Sequence, residues 1–177
     1  MLTRCLKLSL LLILLGFLPA AAQAQDRQFK ATLISYEEVP ALSNTGTGTF
    51  KMLIDFTDTS FDYELSFSGV SGTGATQSHI HIAQKGVNGG IMVFFCSNLA
   101  NGPPGTKPCP ANGTVTGRIT AADVIGGAAS QGIAAGEFAE VLAAIRAGTV
   151  YANVHSALFP GGEIRGQVVP DVKPLPH

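Results

Sequence analysis

The sequence predicts an all-β protein, an antiparallel β-sandwich of about seven or eight strands with one short helix. Three observations carry this expectation. Apolar residues recur with a period of two, glycine-rich stretches punctuate the alternation at short intervals, and helical spacing is confined to one segment. Many short strands joined by Gly-rich turns are the pattern of a sandwich.

Phe29 to Ile34 reads as the first strand, and "EEVPAL" ends it at Pro40. In "GTGTFKMLIDF", Phe50, Met52, Ile54 and Phe56 fall on one face and Thr49, Lys51, Leu53 and Asp55 on the other. From Ser60 to Val70, Phe61, Tyr63, Leu65 and Phe67 alternate with Asp62, Glu64, Ser66 and Ser68, as in an antiparallel sheet with one buried and one wet face. "GVSGTGA" is a turn into the strand that carries "SHIHIA", and Ile91 to Cys96 and Thr114 to Thr120 read as the next strands. "GEFAEVLAAIRA", Gly136 to Ala147, places Phe138, Val141, Leu142 and Ile145 at helical spacing, with Gly148 where a C-cap belongs. Its apolar stripe is expected against the sandwich edge. "TVYANVHS", a turn at Pro160-Gly161-Gly162 and "EIRGQVV" complete the domain, expected over residues 25–170. Beyond Pro170, "DVKPLPH" is proline-rich and reads as a disordered tail over 171–177, with His177 a solvated terminus.

Residues 1–24 read as a cleaved signal peptide: Arg4 and Lys7, a leucine-rich run from Leu8 to Leu18, then Ala22-Gln23-Ala24 as a small-x-small cleavage site. The protein is therefore expected to be secreted or periplasmic, without membrane attachment once the leader is gone. Cleavage leaves 177 − 24 = 153 residues, one domain with a full core, and 9 basic against 12 acidic residues, a net charge near −3. No basic patch recommends nucleic acid as a partner. Cys5 leaves with the leader, so Cys96 and Cys109 are expected to pair in the oxidising compartment across a Pro/Gly-rich segment. Neither a C-x-x-C redox motif nor a Ser-His-Asp or Cys-His arrangement is present at a recognisable motif, which sets aside disulfide exchange and hydrolysis as functions.

The chain contains four histidines, and "SHIHIA" places two of them two residues apart. In a strand His79 and His81 project together while Ile80 and Ile82 project the other way. Core-seeking isoleucines send the histidines to the outer face or into a cleft between loops, and two imidazoles at this spacing reach one metal ion. His155, in "VYANVHS", shares a face with Tyr151 and Asn153 and would complete a three-nitrogen set if its strand lies near the first. Three neutral imidazoles suit copper, or zinc with a bound water, and serve magnesium or calcium poorly. The competing reading is a metal-free module in which the same histidines hydrogen-bond across strands.

"FKATLISYEEVPALSNTGTGTF", "FSGVSGTGATQSHIHIAQKGVNGGIMV" and "AGTVYANVHSALFPGGEIRGQV", in that order, resemble the CHRD (chordin-type) domain over roughly Phe29 to Val168. More distantly the same segments resemble copper-zinc superoxide dismutases. That likeness implies a Greek-key-like, superoxide-dismutase-like fold, one copper ion on His79, His81 and His155, and Arg165 as a guide for a small anion such as superoxide. The zinc ligands and bridging imidazolate of that family have no counterpart, since no histidine lies between His81 and Cys96, so zinc is not expected. The functions implied are a copper-only superoxide dismutase, a copper storage or delivery protein, or a metal-free secreted binding or adhesion module. Arg165 has a structural alternative, a salt bridge to Glu163, and Glu37 and Glu38 are read as loop residues with a structural role.

Overall fold

The computed structural model describes residues 27–171. The leader expected over 1–24, the residues after Asp171 and His177 among them lie outside the described part. Among the described residues nine strands form: β1 (Gln28–Ile34), β2 (Thr47–Ile54), β3 (Ser60–Ser68), β4 (Ala75–Ile82), β5 (Gly90–Ser97), β6 (Gly113–Thr120), β7 (Val150–Ser156), β8 (Ile164–Gln167) and β9 (Val169–Pro170), with one α-helix, α1 (Phe138–Arg146), between β6 and β7. They make one continuous antiparallel sheet in the order β5-β4-β7-β8-β1-β2-β3-β6, with β9 beside β1. The sheet curls into a nearly closed, flattened barrel. β5 packs across the interior from β2 and β3, where the Phe95 ring meets Phe50 at 5.0 Å and Tyr63 at 4.4 Å.

The core follows the period-two pattern: Leu33, Phe50, Ile54, Phe61, Leu65, Ile80, Val154 and Ile164 are fully buried. Each removes an apolar side chain from water, worth roughly 1.5–3 kcal/mol. α1 lays Val141, Leu142 and Ile145 on this core and stacks Phe138 on Phe61 at 5.9 Å between ring centres. Gly148, at φ +70°, takes the left-handed conformation that ends the helix, the position expected of it.

Two expectations need correction. Phe56 does not share the buried face of β2; it is 92 % exposed. The strand ends at Ile54, and Asp55 turns the chain by accepting the Thr59 amide at 2.9 Å and the Thr57 hydroxyl at 2.8 Å, which leaves Phe56 outside with the Arg27 guanidinium over its ring at 3.5 Å. Asp171, expected in the tail, is tied to the sheet: its amide donates to Gln28 O at 2.8 Å and its carboxylate pairs with Lys30 at 2.6 Å. Cys96 and Cys109 are joined, as expected. Asn98 organises the loop they close, donating to Ala75 O and Cys109 O and accepting the Cys109 amide at 3.0 Å.

Candidate metal centre

β4 lies between β5 and β7, so the two histidine-bearing strands are direct neighbours. Antiparallel pairing sets His79 against Asn153 and His81 against Tyr151. Ile80, Ala152 and Val154 face the core, and the alternation sends His79, His81, Tyr151, Asn153 and His155 to the opposite side of the sheet. This side is not wet: His79 is 0 %, His81 7 % and His155 5 % exposed. Three loops cover it, β4–β5 (83–89), β7–β8 (157–163) and β1–β2 (35–46). On the other flank, β5 slips register twice against β4, between Ser78 and His79 and between Ile80 and His81. Bulges re-aim side chains locally. Here they let Met92 and Phe95 enter the core while Phe94 faces His79, edge to face at 4.7 Å.

The loops fix the tautomers. His81 Nδ1 donates to Gly89 O at 2.9 Å and His155 Nδ1 donates to Pro160 O at 3.0 Å. A carbonyl only accepts, so each neutral ring carries its proton on Nδ1 and keeps a lone pair on Nε2. Gly89 is needed for this approach, because a Cβ there would lie 1.8 Å from Ile82 O. His79 Nδ1 lies 3.1 Å from His81 Nε2, and Asn153 Oδ1 lies 3.2 Å from both. Ligand atoms from the three histidines all fall within 4.8 Å of one another, and His79 Nε2 and His155 Nε2 are buried with no hydrogen-bond partner. Buried polar atoms without partners are rare.

Burial keeps the cluster neutral. Desolvation, helped by the neighbouring His155 and His81, pushes His79 down to about 2, and desolvation takes His155 down to about 4. His81 is lowered as well, again chiefly by burial. At neutral pH the lone pairs are therefore free of protons. Neutral imidazoles whose second nitrogen is held by a backbone carbonyl are the arrangement metal sites use.

Arg165 lies beside this cluster on β8, paired in register with Asn153. It is 4 % exposed, and its ion-pair partner is Glu38 (Nε to Oε2, 3.0 Å), not the Glu163 expected from the strand pattern. Nη1 donates to Val87 O at 3.0 Å and Nη2 to Asn88 Oδ1 at 2.6 Å. Its guanidinium also rests 4.3 Å from the centre of the Tyr151 ring, which in turn stacks on His81 at 4.7 Å and 3° between planes. Glu38 is buried; desolvation pushes its carboxyl up and Arg165 only partly offsets this. Glu163, also fully buried, turns away to accept the Ser71 amide and hydroxyl and the Asn44 amide. Glu37, by contrast, pairs with Lys85 on the surface at 2.9 Å.

Reasoning on the sequence brings together the three histidines but not Asn153, Phe94, Gly89 or Glu38. Alternation within "YANVH" placed Asn153 on the histidine face, a signal for its role; nothing local marks the other three. Comparison with known families matches residues 29–168 to the CHRD domain. No curated protein and no solved structure matches the chain significantly.

Proposed function

The chain belongs to the CHRD-domain family, and from that premise we propose that it is an exported protein that holds one copper ion on His79, His81 and His155. One observation carries the reading: three neutral, buried imidazoles converge within 4.8 Å, two of them oriented by backbone carbonyls so that Nε2 points inward. The donor set fits the ion, since imidazole suits copper and copper(II) heads the divalent series in affinity for such sites. The leader-like segment at 1–24 and the Cys96–Cys109 bond support an oxidising, extracytoplasmic location. Among the described residues no helix is long and apolar enough to cross a membrane.

Copper bound here would supply a one-electron couple, and superoxide dismutation is the second reading. Arg165 favours it to a degree, because its positive charge is near enough to help lower His81 and His155 and would draw a small anion inward. Against it, each guanidinium nitrogen is already engaged and the three rings are shut from solvent. The geometry supports retention of the ion, for storage or delivery, better than rapid turnover. Purified protein should bind copper at about one ion per chain, and His79→Ala, His81→Ala and His155→Ala should each abolish tight binding, as read by competition with a chelator of known affinity. Absence of submicromolar copper binding by the wild type overturns the proposal. A superoxide assay on the loaded protein, compared with chelated copper, separates dismutation from retention.

A further inference from the structure

Resting on the copper reading, we propose that Asn153 completes the site as a fourth, oxygen-donating ligand through Oδ1. The two nitrogens of one imidazole point apart, and only His79 Nδ1 faces His81 Nε2, so an ion shared by both rings lies on the Nδ1 side of His79. His79 Nδ1, His81 Nε2 and Asn153 Oδ1 form a nearly equilateral triangle with edges of 3.1, 3.2 and 3.2 Å. Bonds of about 2.0 Å at tetrahedral to square angles put neighbouring ligand atoms about 2.8 to 3.3 Å apart, which all three edges satisfy. The triangle is also short of protons. His81 spends its N–H on Gly89 O, leaving one N–H, that of His79, among three atoms that otherwise only accept. Such a convergence of acceptors is what a cation relieves. Asn153 is held in place by the sheet, its own carbonyl accepting the Ser78 hydroxyl at 2.7 Å, and it is 2 % exposed.

The test uses the full chain loaded with copper(II), comparing wild type with Asn153→Ala and Asn153→Asp by chelator competition and by pulsed electron paramagnetic resonance in deuterated water. With Asn153 as ligand, the alanine variant loses about tenfold or more in affinity and gains an exchangeable water on the copper, while the aspartate variant, which restores an oxygen donor, keeps the affinity and shows no added water. Wild-type affinity with unchanged water coupling in Asn153→Ala overturns the inference. Lost affinity without a new water overturns it too, because that is what a residue that merely orients His79 and His81 would give. Failure of the wild type to bind copper overturns the copper reading and this inference together; a wild type that binds while Asn153→Ala is indistinguishable from it overturns this inference alone.

Discussion

Glu38→Gln leaves the Arg165 guanidinium buried with neutral acceptors and no counter-charge. The cation retains Val87 O, Asn88 Oδ1 and the Tyr151 face, but it cannot shed its proton. Breaking a buried pair from this side costs roughly 3–5 kcal/mol. Arg165→Met breaks the same pair from the other side with a different outcome, because an orphaned Glu38 escapes by taking up a proton. Burial already raises its carboxyl in the wild type, and loss of Arg165 raises it further. With the folded-state value above the unfolded one, the native state binds the extra proton, so the methionine variant regains stability as pH falls from the folded value toward the unfolded one. Unfolding of both variants by urea and by heat at pH 7 and pH 5 should show Glu38→Gln as the costlier change at neutral pH, with the thermal midpoint lowered by roughly 10 °C, and Arg165→Met as the one whose deficit shrinks with acid. Equal costs at pH 7, or a Glu38→Gln cost below about 1 kcal/mol as for an exposed pair, refute the reasoning.

Acid should destabilise the metal-free protein early, since the unfolded chain protonates His79 and His155 near 6.5 while the folded values lie at about 2 and about 4. Stability from these two groups is complete above 6.5 and falls by about 2 kcal/mol for each by pH 5, measurable as a falling urea midpoint. Reducing Cys96–Cys109, which spans 13 residues, should lower stability by about 3 kcal/mol, read by unfolding with and without reductant. Gly89→Ala should push the β4–β5 loop off Ile82 O, release the carbonyl that holds His81 and cut copper affinity by about tenfold or more with the fold retained, by chelator competition and circular dichroism.

Strand faces were legible because burial follows local alternation: Phe61 through Phe67, Ile80 against His79 and His81, and His155 with Asn153 all fall where a period of two puts them. Alternation holds only while the chain stays in the sheet, which is why Phe56 was misplaced two residues past the end of β2. β5 shows the same limit from the other side, since an unbroken apolar run, Ile91 to Cys96, hides two bulges that only its pairing with β4 reveals. The partner of Arg165 was illegible for a different reason. Glu163 is near in sequence and on the plausible face, yet the loop after β1 brings Glu38 across 127 positions to the guanidinium. Local pattern carries no information about such closures. The histidine triad needed one long-range fact, the adjacency of β4 and β7, which the resemblance to a known fold implied and residue spacing alone left open.

The sheet's path ends at β5 and β6, each bonded to a neighbour strand on one side only. A strand rim left uncovered recruits other chains. The disulfide-closed segment lies along the β5 rim, where the Lys107 carbonyl takes the Ser97 amide at 2.9 Å and the Tyr63 hydroxyl donates to Phe95 O at 3.1 Å. The Lys107 ammonium donates to Thr116 O of β6 at 2.6 Å, bridging the seam. The disulfide-closed loop shares this cover with a second segment, since Met92 O accepts the Ile125 amide at 2.9 Å and the Gly90 amide donates to Gln131 Oε1 at 2.6 Å, so the rim of β5 is blunted against pairing with another chain along its length.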